Sequence, residues 1–278
     1  MATKLAELVE CEAANLEATT KHLGASSVLI GDVETLYEKL TPLLKFPGGD
    51  LDTSDELMAV VSIIHEFSMC RMLFMKAALA ALRMYQGDAF THLRRAIETC
   101  AFAVRMSKHH DLSRVWAEGG TDKDGDGRKY KAYRQAFRTE DAFPNKKHPD
   151  YDPRLTNLKG RFELCSKTIH GSIFGMANHF GNVSPDKNTA QTRRVNLFDM
   201  RPDSFMSNFF YILDTHRVIL QLFGQALEPY TNEFDSWKKE YLYVEGKLQR
   251  HGQKWAPNIK ALSVARNQKL SKAQASGS

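Results

Sequence analysis

The stretch RFELCSKTIHGSIFGMANHF, residues 161–180, decides the fold that we predict for this chain. Its apolar residues recur at spacings of three and four, so at about 100° per residue they fall on one stripe of a helix. The stripe consists of Phe162, Cys165, Ile169, Ile173, Met176 and Phe180. Glu163, Ser166 and His170 follow on the flank of this stripe. The pattern predicts a packed helix with a polar seam, where a buried site would lie.

Helical periodicity also predicts amphipathic segments along the rest of the chain. The expected helices span residues 3–22, 32–46, 55–85, 89–109, 129–138, 204–227 and 232–251. Thr53 is expected to cap the start of the long third helix, and Gly87 its end. The fold class predicted is an all-α bundle of about seven helices, joined by long polar loops and followed by a disordered C-terminal tail.

The basic residues are unevenly distributed. Residues 253–278 hold five bases and no acid, so they account for the whole formal net charge of +5, and residues 1–252 sum to zero. We interpret 1–252 as a single helical domain, with 1–50 as a peripheral helical pair, and 253–278 as a basic disordered tail. A neutral body argues against a broad nucleic-acid-binding surface and leaves a local basic cleft open.

Cysteine usage and hydropathy predict a soluble, cytoplasmic protein. The four cysteines are widely separated and include no Cys-x-x-Cys pair, which is typical of reduced thiols in the cytosol. The first ten residues lack the apolar segment of a secretory signal. The most apolar run, 57–84, is interrupted by charged or polar residues, so we expect no membrane span. The interruptions are His65, Glu66, Arg71 and Lys76.

A charged ladder marks the helix expected at 89–109. Arg94, Glu98 and Arg105 follow at spacings of four and seven, which would place Glu98 between two guanidinium groups. The favoured interpretation is a solvated face. The alternatives are a site where Arg94 and Glu98 face the His170 helix and bind a small anionic ligand or phosphate, and a contact between two copies of the chain.

The sequence DKDGDG matches the first half of a calcium-binding loop. Asp122, Asp124 and Asp126 alternate as the first ligands of such a loop do, and Gly127 permits its sharp turn. The position that normally supplies a bidentate glutamate is Tyr133. A solvated turn before the next helix is the favoured interpretation, and weak calcium binding is the alternative.

Other catalytic and metal-binding motifs are absent from the sequence. It contains no Glu-x-x-His, His-Glu-x-x-His, glycine-rich phosphate loop or Gly-x-Ser-x-Gly, which argues against diiron, zinc, nucleotide-hydrolysing, dehydrogenase and serine hydrolase chemistry. The trio Glu163, Ser166 and His170 remains as a catalytic candidate, with His170 as general base. The competing interpretation is a core histidine bonded to a neighbouring carbonyl or hydroxyl.

Two helical segments resemble a known class of proteins. The pairing of Leu93–Glu98 with Ser166–Gly171 is similar to uncharacterised bacterial helical proteins, some of them related to the HEPN class of nucleotide-binding and RNA-cleaving bundles. HEPN nucleases carry Arg-x(4–6)-His, which Arg105 and His110 match here, with Met106 where the class usually has a polar residue. The resemblance implies a helical bundle.

Two functions are therefore expected. The leading hypothesis is a non-catalytic protein that self-associates and binds a small or anionic ligand or a partner. For the basic tail a solvated terminus is the favoured interpretation, and binding of RNA or of an anionic membrane is the alternative. The alternative implied by the resemblance is a ribonuclease of a bacterial defence or toxin system, in which Arg105 and His110, or else His170, perform acid–base chemistry across a dimer interface. No cofactor is expected apart from the calcium possibility.

Overall fold

The structure, a computed structural model, describes residues 2–51, 53–119, 127–169 and 202–275. Its α-helices are α1 (Ala2–Leu23), α2 (Val28–Leu40), α3 (Asp55–Leu82), α4 (Gln86–Lys108), α5 (Asp111–Glu118), α6 (Arg128–Ala136), α7 (Thr139–Ala142), α8 (Pro153–Ile169), α9 (Pro202–Leu227) and α10 (Phe234–Ala275). These ranges contain no β-strand, only one isolated bridge between Leu44 and Thr231. The all-α prediction is confirmed, and the short helices α5 and α7 are additions to it.

An antiparallel hairpin of α3 and α4 forms the centre of the bundle. Helix α3 packs against α2, α4, α5 and α9, and α4 packs against α8 and α9 as well. Aromatic and aliphatic side chains from these helices make one continuous core. Its largest fully buried members include Tyr37, Phe67, Phe74, Phe209 and Phe223. Helix α2, within the segment 1–50, contributes Tyr37 to this core.

The ends of the central hairpin differ in detail from the sequence prediction. Ser54, not Thr53, caps α3, and its hydroxyl accepts a hydrogen bond from the Leu57 amide at 3.1 Å. At the other end the chain reverses at Met84, whose φ is 66°, so Gly87 lies inside the first turn of α4. A left-handed residue other than glycine or asparagine is uncommon, and sequence alone favours the glycine for such a turn.

Helix α3 is also the one described helix that is long and apolar enough to cross a membrane, with a mean hydropathy of 1.5. Within the protein, 56% of its most apolar window is buried. One of its charged residues is also paired: the Arg71 Nε atom donates to Glu34 at 2.8 Å, and Arg71 contacts Glu38 at 2.7 Å. About half of the apolar window of α3 is thus packed inside the bundle.

Helices α2 and α8 do not have the predicted bounds. Helix α2 ends at Leu40, and Pro42 follows in a short 3₁₀ turn, because proline cannot continue the α-helical hydrogen bonding. Helix α8 begins at Pro153, eight positions before residue 161, since a proline is well suited to the first turn of a helix. Phe162 and Cys165 of the predicted stripe are buried, and the part of the stripe after Ile169 lies outside the described residues.

The last helix continues past Gly252, where we expected the folded body to end. Trp255 donates from its indole N–H to the Ser26 hydroxyl oxygen at 2.8 Å, and the His251 Nδ1 atom is also 2.8 Å from that oxygen. Ile259, one turn further, packs against the core. One interior glycine costs a helix only about 1 kcal/mol, so Gly252 does not end α10.

Candidate functional site

The polar seam expected beside His170 is only partly within the described residues. His170 lies outside them, as do the three calcium-loop candidates Asp122, Asp124 and Asp126. Glu163 is exposed on α8. The Ser166 hydroxyl donates to the Phe162 carbonyl of its own helix at 2.8 Å. Ser166 is half-buried, and Glu163 is open to solvent.

The charged ladder of α4 does not form as expected. Glu98 pairs with Arg95, at 3.1 Å between Oε2 and Nη1. The Arg94 guanidinium lies over the Phe162 ring, 4.9 Å from its centre, and so faces α8. Arg105 donates from Nη1 to the Asp141 carbonyl at 2.9 Å, which ties α7 to α4. The three side chains are distributed over different contacts, because i,i+4 spacing on a helix permits a pair but does not select it.

Arg105 and His110, the residues of the HEPN-like match, also serve separate contacts. His110 immediately precedes α5, and its carbonyl accepts a hydrogen bond from the Ser113 amide at 3.1 Å. The Arg105 guanidinium is held at Asp141, as described above. In the described ranges no hydrogen bond joins these two side chains.

A cavity of about 370 Å³ lies between α3, α4, α5 and α6, and we call it the aromatic cavity. This volume is within the range of about 300–1,000 Å³ typical of small-molecule sites. Five of its lining residues carry aromatic rings: His65, Phe102, Trp116, Tyr130 and Tyr133. Its polar lining includes Glu66, Arg95 and Thr99. Mostly apolar walls with a few polar groups are the usual composition of a ligand site.

Helical spacing explains how these side chains come together. Arg95, Thr99 and Phe102 follow at i, i+4 and i+7 on α4, so they share the face that borders the cavity. Tyr130 and Tyr133 are one turn apart on α6 and form the opposite wall. The spacing within each of these two sets can be read from the sequence, but the contact between the two helices cannot.

Gly119, directly after α5, allows the Tyr133 ring to close against this helix. A Cβ atom at Gly119 would lie 2.6 Å from three atoms of the Tyr133 side chain, closer than any stable contact. The φ of Gly119 is −60°, so its backbone conformation suits any residue. Space, not backbone freedom, therefore requires glycine at this position.

Glu66 is the most unusual residue of the cavity. It is 7% exposed, and burial raises the pKa of its carboxyl group to about 7. The positive charge of Arg95 and hydrogen bonds from Trp116 and Thr99 act in the opposite direction and only partly offset burial. The His65 Nδ1 atom is 3.8 Å from Glu66 Oε1, and the His65 and Trp116 ring centres are 5.2 Å apart. Glu66 can thus exchange a proton near neutral pH.

The outer side of α6 is strongly basic. Residues 128–138 contain five bases and no acid. These are Arg128, Lys129, Lys131, Arg134 and Arg138. A second, open depression of about 650 Å³, which we call the basic groove, is bordered by Lys131, Arg134, Gln135, Arg138 and Tyr130. Tyr130 therefore borders both the aromatic cavity and the basic groove.

A third candidate is an ion-pair network where α8, α9 and α10 meet. Asp214 contacts Arg161 at 2.5 Å and Arg217 at 2.7 Å, and Arg217 also contacts Glu245 at 2.6 Å. Burial raises the pKa of Asp214, but the hydrogen bonds and charges of the two arginines outweigh it and hold the pKa below the usual value. The adjoining groove has a volume of about 240 Å³. Because its charges are paired with one another, we assign this network to helix packing.

Sequence reasoning missed the aromatic cavity. Glu66 was noted only as an interruption of an apolar run, although a charged residue at a core position of an apolar helix is itself a signal of a buried site. The alternation of bases and tyrosines in residues 128–138 was a second signal. Within the described ranges, no group of three metal-binding side chains is placed to hold an ion.

Comparisons of the chain with protein families, with curated proteins and with solved structures find no match. The function must therefore be argued from the site.

Proposed function

We propose that this protein is a non-catalytic binding protein that holds a small planar organic molecule in the aromatic cavity. The observation that carries the proposal is Glu66, a nearly buried carboxyl group that borders a cavity of ligand size. A buried acid with a strongly shifted pKa, located in a cleft, is a common property of functional sites.

The walls of the cavity indicate the shape of the ligand. Trp116, Tyr130 and Tyr133 offer ring surfaces against which a flat molecule can stack, and each such contact contributes about 1 kcal/mol beyond area burial. Glu66 supplies the polar specificity. When it is ionised, its carboxylate accepts hydrogen bonds from N–H groups, and when it is protonated it also donates one.

The same residues support binding over catalysis. The described residues that border the cavity supply stacking surfaces, one proton-exchanging acid and one exposed guanidinium, Arg95. Arg95, Trp116 and Thr99 each favour the ionised form of Glu66, so the cavity contains groups that stabilise its carboxylate. For the alternative nuclease function, the contact between Arg105 and the Asp141 carbonyl is unfavourable, because it engages the arginine in holding α7.

Binding can be tested by ligand-observed NMR with planar nitrogen heterocycles as probes, namely adenine, guanine, cytosine, nicotinamide and indole. We expect at least one probe to bind the wild-type protein and to bind at least tenfold more weakly to Glu66→Gln and Trp116→Leu. Glu163→Gln, an acid lost from the exposed face of α8, is the matched control and should bind as the wild type does. Binding that is equal in all four proteins, or absent for every probe, would overturn the proposal.

Location and self-association are also part of this proposal. We propose a soluble, cytoplasmic protein, and the support is the burial of the apolar window of α3 inside the bundle.

Two adjacent apolar residues on α10 support self-association. Leu242 is 53% exposed and Tyr243 is 62% exposed. Light scattering after size-exclusion chromatography tests this, with Leu242→Glu as the variant that should shift a dimer to monomer.

A further inference from the structure

We infer that the ligand of the aromatic cavity is a nucleoside phosphate, with its base in the cavity and its phosphate group on the basic groove of α6. This inference rests on the proposed function and names the chemical class of its ligand. The shared chemistry has two sources, a free nucleotide and a nucleotide at the end of a single-stranded nucleic acid, which the experiment below separates.

The two depressions are connected through one side chain. Tyr130 lines the aromatic cavity on one side and the basic groove on the other. The Arg134 guanidinium carbon lies 6.0 Å from the centre of the Tyr130 ring. A ring stacked inside the cavity and an anion held by Arg134 would therefore be separated by a short spacer, and a pentose sugar is such a spacer. A base alone would leave the groove unused, and inorganic phosphate alone would leave the cavity unused.

The basic groove has unneutralised positive charge. Lys131 and Arg134 are three positions apart on α6 and lie on one face, and Arg138, two positions after the helix ends, borders the same groove. Within the described part of the chain, none of the three forms an ion pair with a carboxylate. Arginine and lysine side chains grouped in this way are the usual partners of phosphate, and arginine binds it through two parallel hydrogen bonds.

Lys129 lies on the same helix but outside the basic groove. Its ammonium group is 3.6 Å from the Glu118 carboxylate, and it does not border the basic groove. Lys129 therefore carries the same charge as Lys131 but already has a partner. It provides the matched control for the groove residues.

The cavity supplies the complementary part of the recognition. Bases stack on aromatic side chains with about 1–3 kcal/mol per base, and Trp116, Tyr130 and Tyr133 offer such surfaces. Glu66 lies where the edge of a stacked base would meet a hydrogen-bond acceptor, and acidic side chains accept hydrogen bonds from the amino groups of bases. Residues 128–138 thus combine lysine and arginine residues with tyrosines, as surfaces that bind single-stranded nucleic acids do.

The test is isothermal titration calorimetry of the full chain at low salt with three kinds of probe. These are the four common ribonucleosides, their 5′-monophosphates and inorganic phosphate. For at least one base, we expect the monophosphate to bind at least tenfold more tightly than its nucleoside. Arg134→Gln combined with Lys131→Gln should abolish this gain without weakening nucleoside binding, whereas Lys129→Gln should preserve it. Glu66→Gln should weaken the nucleoside and the monophosphate by the same factor.

The outcomes separate this inference from the proposed function. If other planar heterocycles bind and no nucleoside does, or if the phosphate adds less than threefold, the inference is overturned and the proposed function stands. If inorganic phosphate binds as tightly as the monophosphates, the base has no role and the inference is also overturned. If no probe of any kind binds, both fail. A six-nucleotide RNA that competes with the monophosphate and binds more tightly supports the inference and identifies nucleic acid as the source.

Discussion

Two buried titratable groups, His216 and Glu66, differ in what surrounds them. His216 is enclosed by α2, α3 and α9, whereas Glu66 lies where α3 to α6 meet. His216 is fully buried between the ring of Phe74, 4.8 Å away centre to centre, and the Tyr37 hydroxyl, 2.8 Å from its Nδ1 atom. Glu66 is almost as buried, but it borders the aromatic cavity. Burial disfavours the charged form of both groups, so it lowers the pKa of His216 to about 3 and raises the pKa of Glu66 to about 7. The comparison teaches that open space beside a buried acid or base, not burial itself, distinguishes a candidate site from packing.

Protonation of the buried His216 should dominate the loss of folding stability at acid pH. Since the folded-state pKa of His216 is about 3, below the usual 6.5, its neutral form favours folding above pH 6.5. This stability is lost as the pH falls from 6.5 toward 3, at up to about 1.4 kcal/mol per pH unit. Urea unfolding followed by circular dichroism at pH 7.5, 6, 5 and 4 measures the slope. His216→Leu removes the titrating group, so an unchanged slope in this variant would contradict the assignment.

Glu66, which borders the aromatic cavity, should contribute to folding stability with the opposite pH dependence. The pKa of Glu66 is raised from 4.5 to about 7, so its stability contribution is complete below pH 4.5 and is lost as the pH rises through 7. At pH 8 the wild type holds a buried charge that Glu66→Gln lacks. The variant should therefore be more stable there, by up to about 3 kcal/mol, and gain little at pH 4.5. Thermal unfolding at both pH values tests this, and an equal gain at the two would show that titration is not the cause. Between pH 4.5 and 6.5 the contribution of His216 to stability rises with pH while that of Glu66 falls.

The smallest of these effects concerns the wall of the cavity. Gly119→Ala would place a Cβ atom 2.6 Å from Tyr133, so the ring must move. We expect a loss of about 1–3 kcal/mol, together with weaker binding of any probe that occupies the cavity. Gly160→Ala on α8, where nothing lies within 4 Å of the new atom, is the control and should stabilise the protein by about 0.5–1 kcal/mol. A Gly119→Ala protein as stable as this control would show that Tyr133 does not close the cavity wall.

Periodicity identified much of the fold but not the site. Apolar spacing predicts the helices α3 and α4 and the buried positions Phe162 and Cys165. The left-handed Met84 did not, because that turn is selected by packing rather than by residue type. The site was beyond reach for a related reason. Glu66 and Trp116 are 50 positions apart, and no spacing rule relates the two helices that bring them together.

The last helix extends further toward the C-terminus than the helix predicted at 232–251. The apolar residues Tyr241, Val244 and Leu248 of α10 are followed at helical spacing beyond Gly252 by Trp255 and Ile259. The excess of lysine and arginine in residues 253–278 suggested solvated chain instead. Apolar phase was the better guide for residues 253–259, because a single tryptophan that packs contributes more than neighbouring surface charges take away.

The contact of Ser26 with Trp255 and His251 has a consequence for biosynthesis. Ser26 is 229 and 225 positions away from these partners, and Tyr37 is 179 positions away from His216. At about 5–20 residues per second, a ribosome needs roughly 10–45 s to supply those partners after the first helices have emerged. During this interval the part of the apolar face of α2 that α9 and α10 cover stays exposed, so nascent chains should depend on a holding chaperone, and translational pausing before α10 should lower the yield of native protein.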